Sequence, residues 1–145
     1  MISRLRELVN TYPYRNACTI VFDATGLGQP VHEMLRAADL GRPLMPITIT
    51  SGEEPSGDHV PKKDLISVLQ VMLEMHELRI PRTLPGVPLL LEEMHAMRSY
   101  PAESGALRYE AAPGCHDDLV IALALAIWPT RPRRPFVGER NQRLL

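Results

Sequence analysis

The chain has 145 residues, of which 45% are hydrophobic and 23% are charged, and its formal net charge at pH 7 is -1. This length and composition suit one globular domain with its own hydrophobic core. The near-zero charge excludes a global basic field of the kind that binds nucleic acid by electrostatics alone. Contacts to nucleic acid would therefore come from metal ions or from a local patch, such as Arg131, Arg133 and Arg134.

Cysteine usage and hydropathy narrow the class of protein further. Cys18 and Cys115 form no CxxC pair, which predicts free thiols in a reducing cytoplasm and argues against a zinc knuckle or a disulfide framework. The longest apolar run, Leu119 to Trp128, is far shorter than the roughly 20 residues that span a bilayer. The N-terminus gains charge too early for a signal peptide, so we expect a cytoplasmic protein with no membrane segment.

The predicted elements alternate between helices and short apolar strands. In chain order they are a helix over 2–11, a strand over 18–22, a helix from Pro30 to about Leu40, a strand over 44–50, a long helix from Pro61, a helix over 88–98, a strand over 106–111 and a helix over 117–128. Residues 51–59 are predicted to form a polar loop. This order predicts an α/β fold with a mixed sheet flanked by helices, in which a right-handed crossover makes the first two strands parallel.

Two acidic motifs stand where α/β folds bind ligands. Asp23 ends the first strand, and ligands of open α/β sheets sit beyond the carboxyl ends of strands. Asp117 and Asp118 begin the last helix, directly after His116. Each motif also has a plainer explanation, since Asp often caps turns and helix starts. Adjacent carboxylates repel each other unless a cation or a proton intervenes, however, so the pattern predicts a Mg²⁺ or Mn²⁺ site suited to phosphodiester cleavage.

Three segments carry a resemblance to a known family: VFDATGLGQPVHEMLRAADLGRPLMPITIT, VPKKDLISVLQ and GCHDDLVIALALAIW. Together, over roughly residues 1–128, they resemble the C-terminal nuclease domain of the large terminase subunit of tailed bacteriophages. The resemblance implies an RNase H-like fold that cleaves double-stranded viral DNA during genome packaging, with two divalent metal ions, in the cytoplasm of the bacterial host.

The resemblance also assigns roles to particular residues. Asp23 corresponds to the middle acid of the family, in its D-A-T-G-x-G motif. Asp118 corresponds to the last acid, in an H-D-D-L-V motif, and Asp117 and His116 are close supports; these residues form the expected catalytic and metal-binding set. For His116, three roles remain open: a metal ligand, an acid in catalysis, or a side chain that only hydrogen-bonds near the helix start.

The resemblance further suggests contacts to DNA. Lys62 and Lys63 match a P-K-x-x-L motif of the family and are expected to face the DNA backbone or the acidic site, or else to form a solvated first helical turn. Thr25, within the D-A-T-G-x-G motif, is a further expected DNA contact.

The family has an earlier strand with a first metal-bridging Asp, and an ATPase domain, that have no counterpart in this sequence. We therefore expect residues 1–128 to form a partial RNase H-like domain lacking the first strands, followed by a Pro- and Arg-rich tail over 129–145. The strand over 18–22 would then have an unpaired edge. Expected consequences are a homo-oligomer formed through that edge, or completion by a separate N-terminal part of terminase, with portal as another partner.

Three functional hypotheses follow. The first is a metal-dependent DNA endonuclease that is incomplete or inactive alone, the product of a split gene or a prophage remnant. The second is a catalytically silent RNase H-like module for DNA binding or assembly. The third is a nucleotide-binding module with TGLGQP as a phosphate cradle, which is disfavoured because Val31 stands where the third glycine of G-x-G-x-x-G belongs.

Overall fold

The computed structural model describes residues 1–15, 17–26, 28–101, 105 and 107–131. Helices and strands alternate through most of this range. They are α1 (Ile2–Val9), β1 (Ile20–Asp23), α2 (Gly28–Ala37), β2 (Leu44–Thr50), β3 (His59–Pro61), α3 (Lys62–Glu74), α4 (Val87–Ala96), β4 (Met97–Pro101), β5 (Leu107–Ala111), α5 (Asp118–Ile127) and a 3-10 turn (Trp128–Thr130).

A parallel sheet of order β1-β2-β3 positions the strand ends. β1 and β2 are parallel, with Asp23 opposite Ile47, which confirms the predicted parallel pairing. β2 and β3 are also parallel, and their last residues, Thr50 and Pro61, lie opposite each other. The carboxyl ends of the strands therefore meet at one edge of the sheet, which is where Asp23 lies.

The sequence prediction missed two of the strands. β3 falls at the end of the stretch predicted as a polar loop, where its three residues pair with β2. β4 begins at Met97, which was predicted to continue the preceding helix to residue 98. Met94 and Met97 do have helical spacing, but antiparallel pairing of Met97 with Ala111 in β5 overrides it. The helix consequently ends at Ala96.

The α/β class is confirmed, with helices against a sheet. Among the described strands, the parallel and antiparallel pairings occur in two separate sheets, since β4 and β5 pair only with each other. None of the helices described is both long and apolar enough to cross a bilayer.

The main hydrophobic core lies between the parallel sheet and helices α3 and α5. Leu65 and Ala124, one from each helix, are 0% exposed, and Val60 of β3 is 1% exposed. A smaller cluster, built on Val9 and Leu35, joins α1 to α2. The larger core therefore fixes α3 and α5 against the carboxyl ends of the strands.

The predicted tail begins against this core. Trp128 is 5% exposed, and the guanidinium of Arg131 lies 3.3 Å from the centre of its ring. Nη1 of Arg131 also donates a hydrogen bond to the carbonyl oxygen of Trp128 at 2.5 Å. Arg131, one member of the predicted basic patch, thus stacks on the domain, whereas Arg133 and Arg134 lie outside the described residues. The division at residue 128 remains a prediction.

Replacing Leu65 by Ala tests the position of the core. Leu65→Ala is expected to lower the free energy of unfolding by about 3 kcal/mol, because it leaves a cavity between α3 and α5. Leu89→Ala is the matched control, since Leu89 is 52% exposed. Urea unfolding measures both changes, and equal effects of the two substitutions would contradict this assignment of the core.

Candidate active site

A cleft of about 480 Å³ opens at the carboxyl end of β1, bordered by β2 and by the first turns of α3 and α5. Its polar lining brings together residues that are distant in sequence. They are Asp23, Thr25, Lys62, Asp117 and Asp118. Apolar side chains from β1, β2 and α5 line the rest of the cleft. The two acidic motifs singled out in the sequence therefore face one cavity.

A tight turn after β1 holds Asp23 in place. Its Oδ1 accepts a hydrogen bond from the backbone N–H of Thr25 at 2.7 Å, so Asp23 does cap the turn. Oγ1 of Thr25 in turn accepts a hydrogen bond from the backbone N–H of Ile49 at 2.7 Å, which ties the turn to β2. Gly26 follows with a φ of +69°, a conformation that favours glycine. The Asp23 carboxylate is thus fixed relative to both strands.

Glu93 of α4 sets the start of α5. This carboxylate is 6% exposed, and its Oε2 accepts hydrogen bonds from the backbone N–H groups of Leu119 at 2.7 Å and Val120 at 3.2 Å. A charged acceptor at this position suits the positive end of the helix dipole. Glu93 therefore caps the start of α5, and the side chain of Asp117 makes no cap hydrogen bond there. Helix capping consequently does not account for the Asp117–Asp118 pair.

The sequence prediction missed Glu93. The sequence feature that could have indicated Glu93 is its position on the buried side of α4, close to the buried Leu90. A buried charge of this kind requires hydrogen-bond donors from another element. The partners themselves, however, come from a helix that starts 25 positions later in the chain, and no local pattern indicates them.

Asp117 contacts a lysine instead of the backbone of its own helix. Nζ of Lys62 donates a hydrogen bond to Oδ2 of Asp117 at 2.6 Å, and the two side chains are 29% and 23% exposed. Asp118 also lines the cleft, but its side chain is 88% exposed. His116 is 81% exposed, lies 3.9 Å from the Asp118 carboxylate and does not line the cleft.

Lys63, which follows Lys62 in the same predicted motif, faces a different cavity. It lines a second cleft of about 260 Å³, between β2, α3 and β5, which shares Ile49 and Lys62 with the first. Nζ of Lys63 lies 2.5 Å from Oε2 of Glu53. This hydrogen bond, supported by the negative charges of Glu53, Asp64 and Glu54, raises the pKa of Lys63 above its ordinary 10.5.

The donor set of the acidic cleft fits a divalent metal ion in kind. Carboxylate oxygens are the ligands that Mg²⁺ and Mn²⁺ prefer, and two elements supply them here. Among the residues that the structure describes, however, no three His, Cys, Asp or Glu side chains lie close enough together to hold one ion. Asp23, Asp117 and Asp118 would be the residues that hold a metal ion here, with the Lys62 ammonium beside Asp117.

Comparison with known proteins gives relatives in both sequence and fold, although no family model matches the chain. The large terminase subunits of Thermus phage G20c and Thermus virus P23-45 are each 28% identical to it over 125 residues, which is 86% of this chain and 22% of theirs. This chain thus spans about a fifth of the length of these relatives.

Solved structures give the same result. The large terminase nuclease of phage G20c with bound cobalt superposes with a TM-score of 0.63 at 29% identity, over 86% of this chain and 58% of that one. The large terminase nuclease domain of Thermus phage P74-26 gives 0.61 at 27% identity, over 87% and 56%. The relatives of this chain are therefore large terminase nuclease domains, which confirms the resemblance and the RNase H-like α/β fold.

The role of Glu93 is tested by stability. Glu93→Ala is expected to lower the free energy of unfolding by about 2 kcal/mol, because two backbone N–H groups at the start of α5 lose a charged acceptor. Glu93→Gln keeps one acceptor oxygen and is expected to cost less. The control is Glu92→Ala, its exposed neighbour on α4. If urea unfolding gives the same loss for Glu92→Ala as for Glu93→Ala, the capping role is wrong.

Proposed function

We propose that this chain is the nuclease-type domain of a phage terminase large subunit, which cleaves double-stranded DNA during genome packaging with the help of divalent metal ions. The observation that carries the proposal is the acidic cleft, where Asp23 from a strand end meets Asp117 and Asp118 from a helix start. The relatives of the chain, which are large terminase nucleases, support the same activity.

Asp23, Asp117 and Asp118 are the proposed metal ligands, with Mg²⁺ or Mn²⁺ as the ion. The G20c nuclease holds cobalt in its solved structure, which supports a divalent cation. When bound, such ions activate a water molecule and stabilise the leaving oxygen of a phosphodiester. The protein's own contribution is orientation, since Thr25 fixes the Asp23 carboxylate and Glu93 fixes the backbone from which Asp117 and Asp118 project.

The remaining predicted residues take supporting roles in this proposal. His116 does not line the cleft and is the proposed hydrogen-bond partner of Asp118, whose carboxylate lies 3.9 Å from it. Lys62 within the cleft and Lys63 in the neighbouring one are the proposed phosphate contacts. The hydroxyl of Thr25 already bonds the backbone of Ile49, so its contribution to DNA binding is through the shape of the turn.

A catalytically silent module for DNA binding or assembly, such as a prophage remnant, is the second candidate. One observation favours it: within the described part of the chain, no group of three potential ligands is close enough together to hold a metal ion. Weak metal binding is expected in either case, so the two candidates differ in whether any cleavage occurs.

Cleavage of supercoiled plasmid separates the two candidates. The chain is expected to nick plasmid slowly, and only with Mn²⁺ or Mg²⁺ present. Asp23→Asn and Asp118→Asn are each expected to lower the rate by at least about 100-fold, because each removes a metal ligand. Asp58→Asn is the control, since Asp58 is an exposed acid that pairs with His59 outside the cleft. A folded protein that binds DNA but cleaves none at any metal concentration would support the silent module.

The free edge of β1 is the proposed site of assembly. Among the described strands, β1 pairs only with β2. The backbone N–H groups of Ile20 and Ala24 donate toward β2, so those of Val21 and Asp23 point to the opposite edge. Unpaired edges accept strands from other chains. We propose a homo-oligomer through this edge, or pairing with another part of terminase, with portal as a further partner in the host cytoplasm.

Solution mass tests the homo-oligomer. Light scattering with size exclusion is expected to give twice the 16.3 kDa of one chain at high protein concentration. Thr19→Lys, which adds a charge beside the free edge, is expected to shift the protein to monomer. Thr11→Lys is the control, since Thr11 is an exposed residue beyond the end of α1. A wild-type protein that stays monomeric at all concentrations would contradict self-association through β1.

A further inference from the structure

We propose that Lys62 is the resident counter-cation of the acidic cleft, and that its ammonium competes with a divalent metal ion for the Asp117 carboxylate. This inference rests on the proposed metal-dependent function and deepens it. It assigns to Lys62 an effect on metal affinity that is separate from any contact with DNA.

The geometry of the pair is the first argument. Nζ of Lys62 and Oδ2 of Asp117 are 2.6 Å apart, although the two residues are 55 positions apart in sequence. Less than a third of each side chain is exposed, whereas the side chains of the surface pair Arg4–Glu7 are 81% and 66% exposed. The Lys62–Asp117 pair is therefore better shielded from water, and its attraction is correspondingly stronger.

The backbone on both sides of the pair is fixed. Pro61 is buried as the last residue of β3, and it is directly followed by Lys62, the first residue of α3. Opposite it, the Asp117 carbonyl accepts the first hydrogen bond of α5, from Ile121 at 2.8 Å. Glu93 also accepts hydrogen bonds from the backbone of this turn of α5. The contact is therefore built into the fold and does not depend on two long side chains meeting on an open surface.

The charges of the cleft explain why a metal ion would displace the ammonium. Asp23, Asp117 and Asp118 repel one another in the absence of a cation, and Lys62 neutralises one of them. A divalent ion that binds the Asp117 oxygens would lie within a few ångströms of the ammonium, and two cations at that distance repel each other. The flexible stem of Lys62 allows its ammonium to move away. Metal binding consequently includes the loss of the Lys62–Asp117 contact.

Direct measurement of Mn²⁺ affinity tests this competition. Electron paramagnetic resonance of free Mn²⁺ gives the dissociation constant for the wild-type chain and for Lys62→Met, which keeps the length of the side chain and removes its charge. Lys62→Met is expected to bind Mn²⁺ about tenfold more tightly. Lys63→Met is the matched control and is expected to stay within about twofold of wild type, because Lys63 pairs with Glu53 in the second cleft.

Further variants isolate the Lys62–Asp117 contact. Lys62→Arg keeps the charge and is expected to retain the wild-type affinity. In an Asp117→Asn background, Lys62→Met is expected to have no further effect, because the contested carboxylate is gone. Without metal, Lys62→Met is expected to melt below wild type, and Mn²⁺ is expected to raise its melting temperature more than that of wild type.

Two results would overturn the inference and leave the proposed function standing: unchanged or weaker Mn²⁺ binding by folded Lys62→Met, and an equal gain in Lys63→Met. No measurable Mn²⁺ binding by either protein would refute both the competition and the metal-dependent function. Plasmid cleavage plays no part in these measurements. A chain that shows the competition but never cuts DNA counts against the nuclease function alone, and a chain that cuts DNA without the competition counts against Lys62 alone.

Discussion

The buried carboxylate of Glu93 caps α5 and so leaves the side chains of Asp117 and Asp118 available to the cleft. Burial of a charge is unfavourable unless donors replace the lost water, and here two backbone N–H groups at the positive end of α5 do so. Because the start of α5 is stabilised from α4, the carboxylates of Asp117 and Asp118 are not needed for capping. The chain thus separates the residue that holds the helix from the residues that face the cleft.

At the end of β1, too, a neighbouring residue holds the backbone near the acid in place. Asp23 uses one carboxylate oxygen to form the turn with Thr25, and Thr25 ties that turn to β2 through Ile49. The two acidic elements are consequently fixed by bonds to different parts of the core. Lys62 lines the same cleft and joins α3 to the start of α5 through Asp117. The result is an acidic cleft whose two acidic elements are each bonded to the core and whose internal charges are only partly neutralised.

Sequence reasoning located the acids of this cleft because their positions depend on local rules. A β-branched run ending at Asp23 predicts a strand end, an apolar run following Asp117–Asp118 predicts a helix start, and both features occur in the structure. The contacts that orient these acids were not predictable in the same way. The partners of Glu93 and of Lys62 come from α5, far along the chain, and nothing in the local sequence distinguishes Lys62 from Lys63. Strands β3 and β4 were missed because long-range pairing overrides local preference in such short segments.

The direct passage from β3 into α3 has a geometric consequence. Pro61 ends the strand and Lys62 begins the helix, with no connecting residue between them. Each residue of an α-helix turns the chain by about 100°, so one residue inserted at this junction would rotate all of α3 by that angle relative to the sheet. Leu65 would then leave the core in the same movement that carries Lys62 out of the cleft. The packing of Leu65 and the position of Lys62 therefore depend on the same junction, and an insertion there would disturb the core and the charge balance of the cleft together.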